Sequence, residues 1–159
     1  MNLLALDLAT TTGWALREHG QVVSGVQTFD VKRGESPGMR YLRLARWLEE
    51  IGARSELIVY EQVVPAPAKF GGASAREIAY GMAAHVQRYC AARGIEHAPV
   101  YPSSLKKWLT GRGNAGKPDM VAAVARRWGY AILDDNHADA LALLHFAEAE
   151  IVPAGLRAR

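Results

Sequence analysis

The chain has 159 residues, half of them apolar, with a formal net charge of +3 and a single cysteine. This length predicts one domain with an ordinary apolar core, and the lone Cys90 excludes both an internal disulfide framework and a cysteine-based zinc site. Cys90 is interpreted as a buried structural thiol in a reducing cytoplasm, and neither a signal peptide nor a membrane span is predicted, because charged residues interrupt the long apolar runs.

The first part of the chain predicts three strands that are adjacent in sequence. Residues 2–8 form a short, leucine-rich apolar run, which is typical of a buried strand, and Asp7 lies at its end. The β-type residues of 12–18 and 21–31 predict two further strands, and the His19-Gly20 pair between them predicts a tight turn. An antiparallel hairpin is therefore expected after the first strand.

A helix and a fourth strand are predicted next. Residues 36–54 have apolar side chains at helical spacing, with Ser36 as a capping residue and Pro37 in the first turn. Residues 57–60 form another short apolar run, and Glu61 follows it directly. Two buried strands are thus predicted to end in carboxylates.

The remainder of the chain is predicted to be mainly helical. After a loop rich in proline and glycine, the elements are expected in this order: a helix over 74–93, a strand over 95–100, a short helix over 103–109, a glycine-rich segment over 110–117, a helix from Pro118 to about Trp128, and a last helix from a cap at Asp135 or Asn136 through Glu150. This order predicts one α/β domain over 1–152, a mixed five-stranded sheet flanked by helices, followed by a basic, flexible tail over 153–159.

Three acidic residues stand in apolar surroundings. Asp7 is flanked by leucines, Glu61 follows Leu-Ile-Val-Tyr, and Asp139 interrupts an apolar stretch of the last helix. Burying an unpaired carboxylate costs roughly several kcal/mol, so each acid needs a cation, a hydrogen-bonding partner or a raised pKa. A shared magnesium site would meet this need, because Mg²⁺ binds a few carboxylate oxygens. Taken singly, the acids could instead cap a turn, pair with an arginine or lie on a helix face.

A fourth metal ligand is expected one helical turn before Asp139. Asp135 and Asn136 share the helix face of Asp139 at spacings of four and three residues, whereas His137 points further round the helix. Asp135 is favoured because its carboxylate is the better oxygen donor to a hard cation. A simple helix N-cap is the alternative role for Asp135 or Asn136.

The segment 101–117 contains basic residues and no acidic ones. Lys106, Lys107, Arg112 and Lys117 are candidate ligands for DNA phosphates, and Lys117 is expected to stabilise charge that develops on the scissile phosphate. The alternative is a solvated basic loop. Trp108 is equally compatible with DNA contact and with a place in the core.

Four motifs resemble those of the RuvC family of Holliday-junction resolvases. The first is Leu-Ala-Leu-Asp-Leu-Ala, which ends at Ala9 and is followed by Thr-Gly-Trp-Ala, and the second is Glu61-Gln62 after an apolar strand. The third comprises Tyr101-Pro102, Lys-Lys-Trp-Leu-Thr-Gly from Lys106, and Gly113-x-Ala115-x-Lys117. The fourth is Asp139-Ala140-Leu141-Ala142. Together they span residues 3 to about 146. The sequence Asp-Asn-x-Ala-Asp-Ala around Asp139 is similar to that of phage relatives.

The resemblance implies a ribonuclease H-like fold and an endodeoxyribonuclease that resolves four-way DNA junctions by paired, symmetric nicks. It implies two Mg²⁺ ions per active site, with Mn²⁺ as a substitute, and Asp7, Glu61 and Asp139 among the metal ligands. It also implies a homodimer in a bacterial or phage-infected cell, for which the helix over 74–93 is the candidate dimer contact, and nicks with 5′-phosphate and 3′-hydroxyl ends.

Two positions depart from the pattern of this family. The aromatic residue expected after Glu61-Gln62 is replaced by Val-Val-Pro. Two alternatives follow: Phe70 unstacks the base pairs at the crossover, or this unstacking is weaker than in the family. The acid expected three residues before Asp139 is Asn136, which leaves the fourth metal ligand open among Asp135, Asn136 and His137.

Three other functions fit parts of the sequence. A broader nuclease would cut forks and flaps as well as junctions, and a catalytically silent module would bind junctions or RNA through the basic segment alone. The opening motif also resembles the phosphate loop of actin-like and sugar-kinase ATPases. That third function is disfavoured because such a fold encloses its nucleotide between two domains.

Overall fold

The computed structural model describes residues 1–65 and 73–155, so Phe70 and the end of the predicted tail lie outside the described residues. The strands in this part of the chain are Leu3–Asp7 (β1), Thr11–Glu18 (β2), Gln21–Thr28 (β3), Leu57–Glu61 (β4) and Glu96–Val100 (β5). The helices are Met39–Ile51 (α1), Ala73–Arg93 (α2), Pro102–Thr110 (α3), Lys117–Trp128 (α4) and Asp135–Phe146 (α5), and a π-helical turn, Ala147–Ile151, continues α5. None of these helices combines the length and the apolar character needed to cross a membrane.

The five strands form one mixed sheet in the order β3-β2-β1-β4-β5. β2 pairs antiparallel with both β1 and β3, whereas β4 pairs parallel with β1 and β5. The β2–β3 hairpin turns at His19 and Gly20, whose φ angles of 50° and 81° suit a tight two-residue turn. The predicted order of strands and helices and the mixed five-stranded sheet are confirmed.

The two faces of the sheet bury against different helices. In β1, Leu4 and Leu6 belong to the apolar cluster that contains residues of α1 and α2, whereas Leu3 and Ala5 belong to the cluster that contains residues of α4 and α5. The strand is apolar throughout because both of its faces are covered. Side chains alternate along a strand, so Asp7 continues the row that packs towards α5.

Two helices begin elsewhere than their capping residues predict. Helix α1 begins at Met39 rather than beside Ser36, because Ser36 and Pro37 form a preceding turn in which the Met39 N–H donates to the Ser36 carbonyl at 3.0 Å. Helix α5 is capped by Asp134, not by Asp135 or Asn136. The Asp134 Oδ1 accepts the N–H of the third helical residue at 2.8 Å, which satisfies one of the unpaired donors of the first turn.

Cys90 lies in α2 and is fully buried, as predicted. Burial raises the pKa of its thiol to about 11. Because the thiolate is the reactive form of cysteine, Cys90 is a structural residue of the core.

Candidate active site

Asp7 and Glu61 lie side by side at one edge of the sheet. β1 and β4 are adjacent parallel strands in which Leu6 is paired with Tyr60, so the next residues of the two strands are the two acids. Since side chains alternate between the faces of a strand, each acid continues the row that packs towards α5. Two acids that are separated by 54 positions in sequence therefore share one face of the sheet.

Gly13 lets the third acid reach this edge. Gly13 is the β2 partner of Asp7, and the backbone of Asn136 in the first turn of α5 lies directly against it. A Cβ atom at position 13 would overlap the Asn136 carbonyl group and lie 2.8 Å from the backbone nitrogen of His137. Glycine is therefore required for the contact between α5 and β2, and this contact brings Asp139, one turn along α5, towards Asp7. The sequence shows Gly13 as part of a motif but gives no sign of this role.

Four carboxylates form one acidic cluster, which comprises Asp7, Glu61, Asp135 and Asp139. The pKa of Asp7 is raised well above its usual value, chiefly by burial and then by the negative charges of Asp139, Glu61 and Asp135. The positive charge of Lys117 partly opposes this rise. Each predicted acidic ligand thus affects the ionisation of Asp7, as expected if all four lie around one site.

Two further members of the acidic cluster have pKa values raised towards neutral pH. Burial and the charge of Asp139 raise the pKa of Glu61 to about 7, against the opposing charge of Lys106. Burial raises the pKa of Asp139 to about 6, opposed by Lys106 and then Lys117 while the charge of Asp135 adds to the rise. These carboxylates repel one another when ionised, so positive charge placed among them would be stabilised.

Lys106 and Lys117 are the predicted basic residues that lie at the acidic cluster. The Lys117 ammonium donates to the Asp135 carboxylate, and this ion pair lowers the pKa of Asp135 and raises that of Lys117. Lys106 acts electrostatically on both Glu61 and Asp139. The segments that carry these lysines are far apart in sequence from Glu61, so the fold alone brings them together.

The other predicted residues of the basic segment have different surroundings. Lys107 is exposed on α3, and Arg112 pairs with Asp119 at 3.0 Å, with most of its side chain exposed. Trp108 stacks on Trp128 with ring centroids 6.1 Å apart. Of the two roles that the sequence leaves open for Trp108, the structure places it in an aromatic cluster between helices.

A cleft of about 160 Å³ opens beside the two strand-end acids. Asp7, Glu61, Gln62 and Arg76 contribute to its lining. Arg76, near the start of α2, is not predicted from the sequence. The only sequence signal for it is that a basic residue follows the loop after Glu61, the acid at the end of β4. A larger cavity of about 610 Å³ lies at the opposite edge of the sheet, beside the N-terminal residues of β4 and β5, and contains none of the clustered acids.

The two ring nitrogens of His137 are occupied by protein partners. Leu133 donates its backbone N–H to one nitrogen, and the other lies 2.8 Å from the hydroxyl of Ser24. Burial lowers the pKa of the imidazole, which fits this neutral, acceptor role. His137 therefore leaves no free lone pair for a metal, and Asp135 and Asn136 stay as the predicted candidates for a fourth ligand.

The donor atoms of the acidic cluster suit a divalent cation by their chemistry. Within residues 1–65 and 73–155, no group of three or more His, Cys, Asp or Glu side chains is already arranged to hold a metal ion. The donors are carboxylate oxygens, which Mg²⁺ and Mn²⁺ prefer, and burial already disfavours their charge. The Lys117–Asp135 ion pair is the contact that would compete with a cation for Asp135.

We expect the metal-free protein to lose stability between pH 5 and pH 8, and Glu61→Gln to remove part of this loss. The folded state raises the pKa of Glu61 to about 7, so it binds this proton more tightly than the unfolded chain does. The stabilisation is present below about pH 4 and is lost as pH rises through about 7. In EDTA at pH 8, E61Q should raise the free energy of unfolding by roughly 2–3 kcal/mol, measured by urea denaturation.

The control for this prediction is Glu77→Gln, which changes an exposed residue of α2. Identical profiles of unfolding free energy against pH for E61Q and wild type would contradict the prediction.

Comparison with known proteins gives matches by structure alone. No protein-family model matches the chain, and no curated protein sequence matches it. RuvC from Thermus thermophilus superposes with a TM-score of 0.68 at 20% identity over 94% of this chain and 96% of that chain. T. thermophilus RuvC in complex with a Holliday junction substrate gives 0.67 at 19% identity over 96% of each chain. The yeast mitochondrial Holliday junction resolvase gives 0.57 at 12% identity over 89% of this chain and 75% of that chain. These likenesses confirm the predicted ribonuclease H-like fold.

Proposed function

We propose that the chain is a RuvC-like endodeoxyribonuclease that resolves four-way DNA junctions by paired, symmetric, metal-dependent nicks. The acidic cluster carries this proposal, because four carboxylates with coupled ionisation meet at one edge of the sheet beside two lysines. The fold adds support, since its structural neighbours are Holliday junction resolvases and one of them is bound to a junction substrate. Three of the four sequence motifs contain acids of the cluster, and the remaining motif, over 101–117, contains the two lysines beside it.

Asp7, Glu61 and Asp139 would hold two Mg²⁺ or Mn²⁺ ions, with Asp135 or Asn136 as a fourth ligand. Bound ions of this kind lower the pKa of water and stabilise charge on a phosphate and on the leaving oxygen. The carboxylates must ionise to bind a cation, so the raised pKa of Glu61 predicts that metal binding releases protons near neutral pH. Cleavage should therefore become faster as pH rises through about 7.

Lysine side chains supply the positive charge that a DNA backbone requires. Lys117 is three-quarters exposed, so a phosphate oxygen can reach its ammonium group and compete with Asp135 for it. Lys106 is the second lysine at the acidic cluster, where its charge acts on Glu61 and Asp139. We propose that these two lysines bind the scissile phosphate and a neighbouring one. The exposed Lys107 and Arg112 would bind phosphates further along the arms.

The junction itself requires two copies of this chain. Symmetric nicks in two opposing strands need two active sites, and the described residues of one chain form one acidic cluster. We therefore propose a homodimer, with α2 as the dimer helix, in which the spacing of two phosphate-binding faces selects a four-armed substrate by shape. Phe70 stays the proposed wedge at the crossover.

A cleavage assay on three substrates tests the proposed function. A synthetic four-way junction, a fork and a linear duplex of shared sequence are incubated with Mg²⁺ or with EDTA, and the cuts are mapped on every strand. We expect symmetric nicks in two opposing junction strands in Mg²⁺, little cutting of the fork or the duplex, and no cutting in EDTA. Equal cutting of fork and junction would replace the proposal with a broader nuclease. Junction binding without any cutting would replace it with a silent binding module.

A further inference from the structure

A buried histidine joins the acid-bearing helix to a strand that carries none of the acids. His137 is only 4% exposed. The backbone N–H of Leu133 donates to its Nδ1 at 3.1 Å, so the proton of the neutral ring must be on Nε2. Nε2–H then donates to the Ser24 hydroxyl at 2.8 Å. The imidazole thus connects the loop before α5, the first turn of α5 and strand β3.

The direction of this bridge gives it a mechanical consequence. His137 is two residues from both Asp135 and Asp139, and two residues turn an α-helix by about 200°. The imidazole therefore leaves α5 on the side opposite to the acids, towards β3. Gly13 of β2 lies under the same turn of the helix. The Gly13 contact fixes how closely α5 approaches the sheet, and the His137–Ser24 hydrogen bond fixes how α5 is rotated about its own axis.

A small rotation would displace the carboxylates by a chemically significant distance. Side-chain tips lie about 5–6 Å from a helix axis, so a rotation of about 10° moves a carboxylate by about 1 Å. Metal and phosphate chemistry depends on positions held to about half an ångström. Without the Ser24 hydroxyl, the buried Nε2–H has no acceptor, and α5 is freed from its rotational restraint.

We infer that His137 and Ser24 are a positioning pair that sets the carboxylates of Asp135 and Asp139 relative to Asp7. This inference rests on the proposed function, since it assigns the pair to the placing of metal ligands. Neither residue binds the metal or the DNA. Their effect should therefore appear in the affinity of the acidic cluster for a cation, and not in the binding of DNA without metal.

Manganese affinity tests the pair directly. Calorimetric titration with Mn²⁺ at pH 8 is carried out on the wild type, Ser24→Ala, Ser24→Thr and His137→Gln, with the melting temperature of each in EDTA. S24A should weaken Mn²⁺ binding about tenfold. S24T retains the hydroxyl, and H137Q retains a donor near the position of Nε2. Both of these variants should therefore bind Mn²⁺ with most of the wild-type affinity. The matched control is Thr28→Ala, which removes a β3 hydroxyl whose contact is with Thr11 rather than with α5. Junction affinity in EDTA should be the same in all five proteins.

The outcomes separate this inference from the proposed function. If S24A melts at a lower temperature but binds Mn²⁺ within twofold of the wild type, the bridge stabilises the fold without placing ligands, and the inference is wrong while the proposed function stands. If the wild type binds no Mn²⁺, both are wrong. If T28A weakens Mn²⁺ binding as much as S24A does, the inference is also wrong, because the removal of any hydroxyl from β3 would then weaken the metal site.

Discussion

Replacing Asp7 with asparagine is expected to slow junction nicking in Mg²⁺ by at least about a thousandfold, or about 4 kcal/mol of transition-state stabilisation. Asp7 is deeply placed in the acidic cluster, because burial and the charges of the other three clustered carboxylates all raise its pKa. An amide of the same shape lacks the charge that a divalent cation requires. Single-turnover cleavage of a synthetic junction measures the rate, and retention on a gel in EDTA measures binding.

Two further measurements distinguish lost chemistry from a lost fold. Because burial and like charges raise the pKa of Asp7, removing its charge should stabilise the metal-free protein at pH 8. D7N should bind the junction within about threefold of the wild type, since phosphate contacts dominate affinity for DNA. Asp30→Asn is the matched control, because Asp30 is exposed in the loop after β3. A D7N protein that nicks junctions at the wild-type rate would refute the assignment of this site.

Replacing Gly13 with alanine is expected to have the second-largest effect, with a loss of about a hundredfold or more in the nicking rate. The new Cβ would overlap the Asn136 carbonyl, and backbone cannot swing aside as a side chain can. Helix α5 must therefore retreat by roughly 1.5 Å to restore ordinary contact distances. Asp139 moves with the helix, so the acidic cluster opens. Overpacking of this kind should also reduce stability by about 1–3 kcal/mol.

Gly25→Ala provides the control for this change. Gly25 lies on the neighbouring strand β3 and is buried, but its added Cβ would meet the Trp14 ring at 3.4 Å, an ordinary contact with a side chain. G25A should retain nicking within a few-fold of the wild type. Melting curves and circular dichroism confirm that both variants fold. A folded G13A protein with wild-type nicking would show that the close approach of α5 to β2 does not set the site.

The strand-end acids are the part of the site that sequence patterns predict well. Asp7 and Glu61 each follow a run that is apolar on both faces, which indicates a central strand covered by helices on both sides. Polar residues at the ends of such strands have few structural reasons to be there. Asp139 is visible for a similar reason, since it interrupts an apolar helix. The strand register, which puts Asp7 and Glu61 on the same face, is beyond sequence patterns alone.

The contacts that hold α5 in place are the part that sequence patterns do not predict. Asp134, Asp135 and Asn136 are all good N-cap residues, and the structure shows that Asp134 is the cap. The role of Gly13 is steric and depends on a helix that begins more than 120 residues later. Local propensity carries no information about such contacts.

Ion pairs between distant segments are hidden for the same reason. Lys117 is recognisable as a phosphate ligand by its place in a basic motif, but its pairing with Asp135 follows from the way α4 and α5 pack. His137 likewise stands in the sequence as a polar residue between two acids, and its hydrogen bond to Ser24 joins residues 113 positions apart. Both interactions become visible only when the sheet and its helical layers are in place.

A crystal structure of the protein with Mn²⁺, solved with the anomalous signal of the metal, tests the shared cation site most directly. We predict manganese between β1, β4 and α5, with carboxylate oxygens of Asp7, Glu61 and Asp139 at coordination distance, roughly 2.0–2.6 Å. Manganese bound elsewhere on the protein, with none of these three carboxylates at coordination distance, would contradict the proposal.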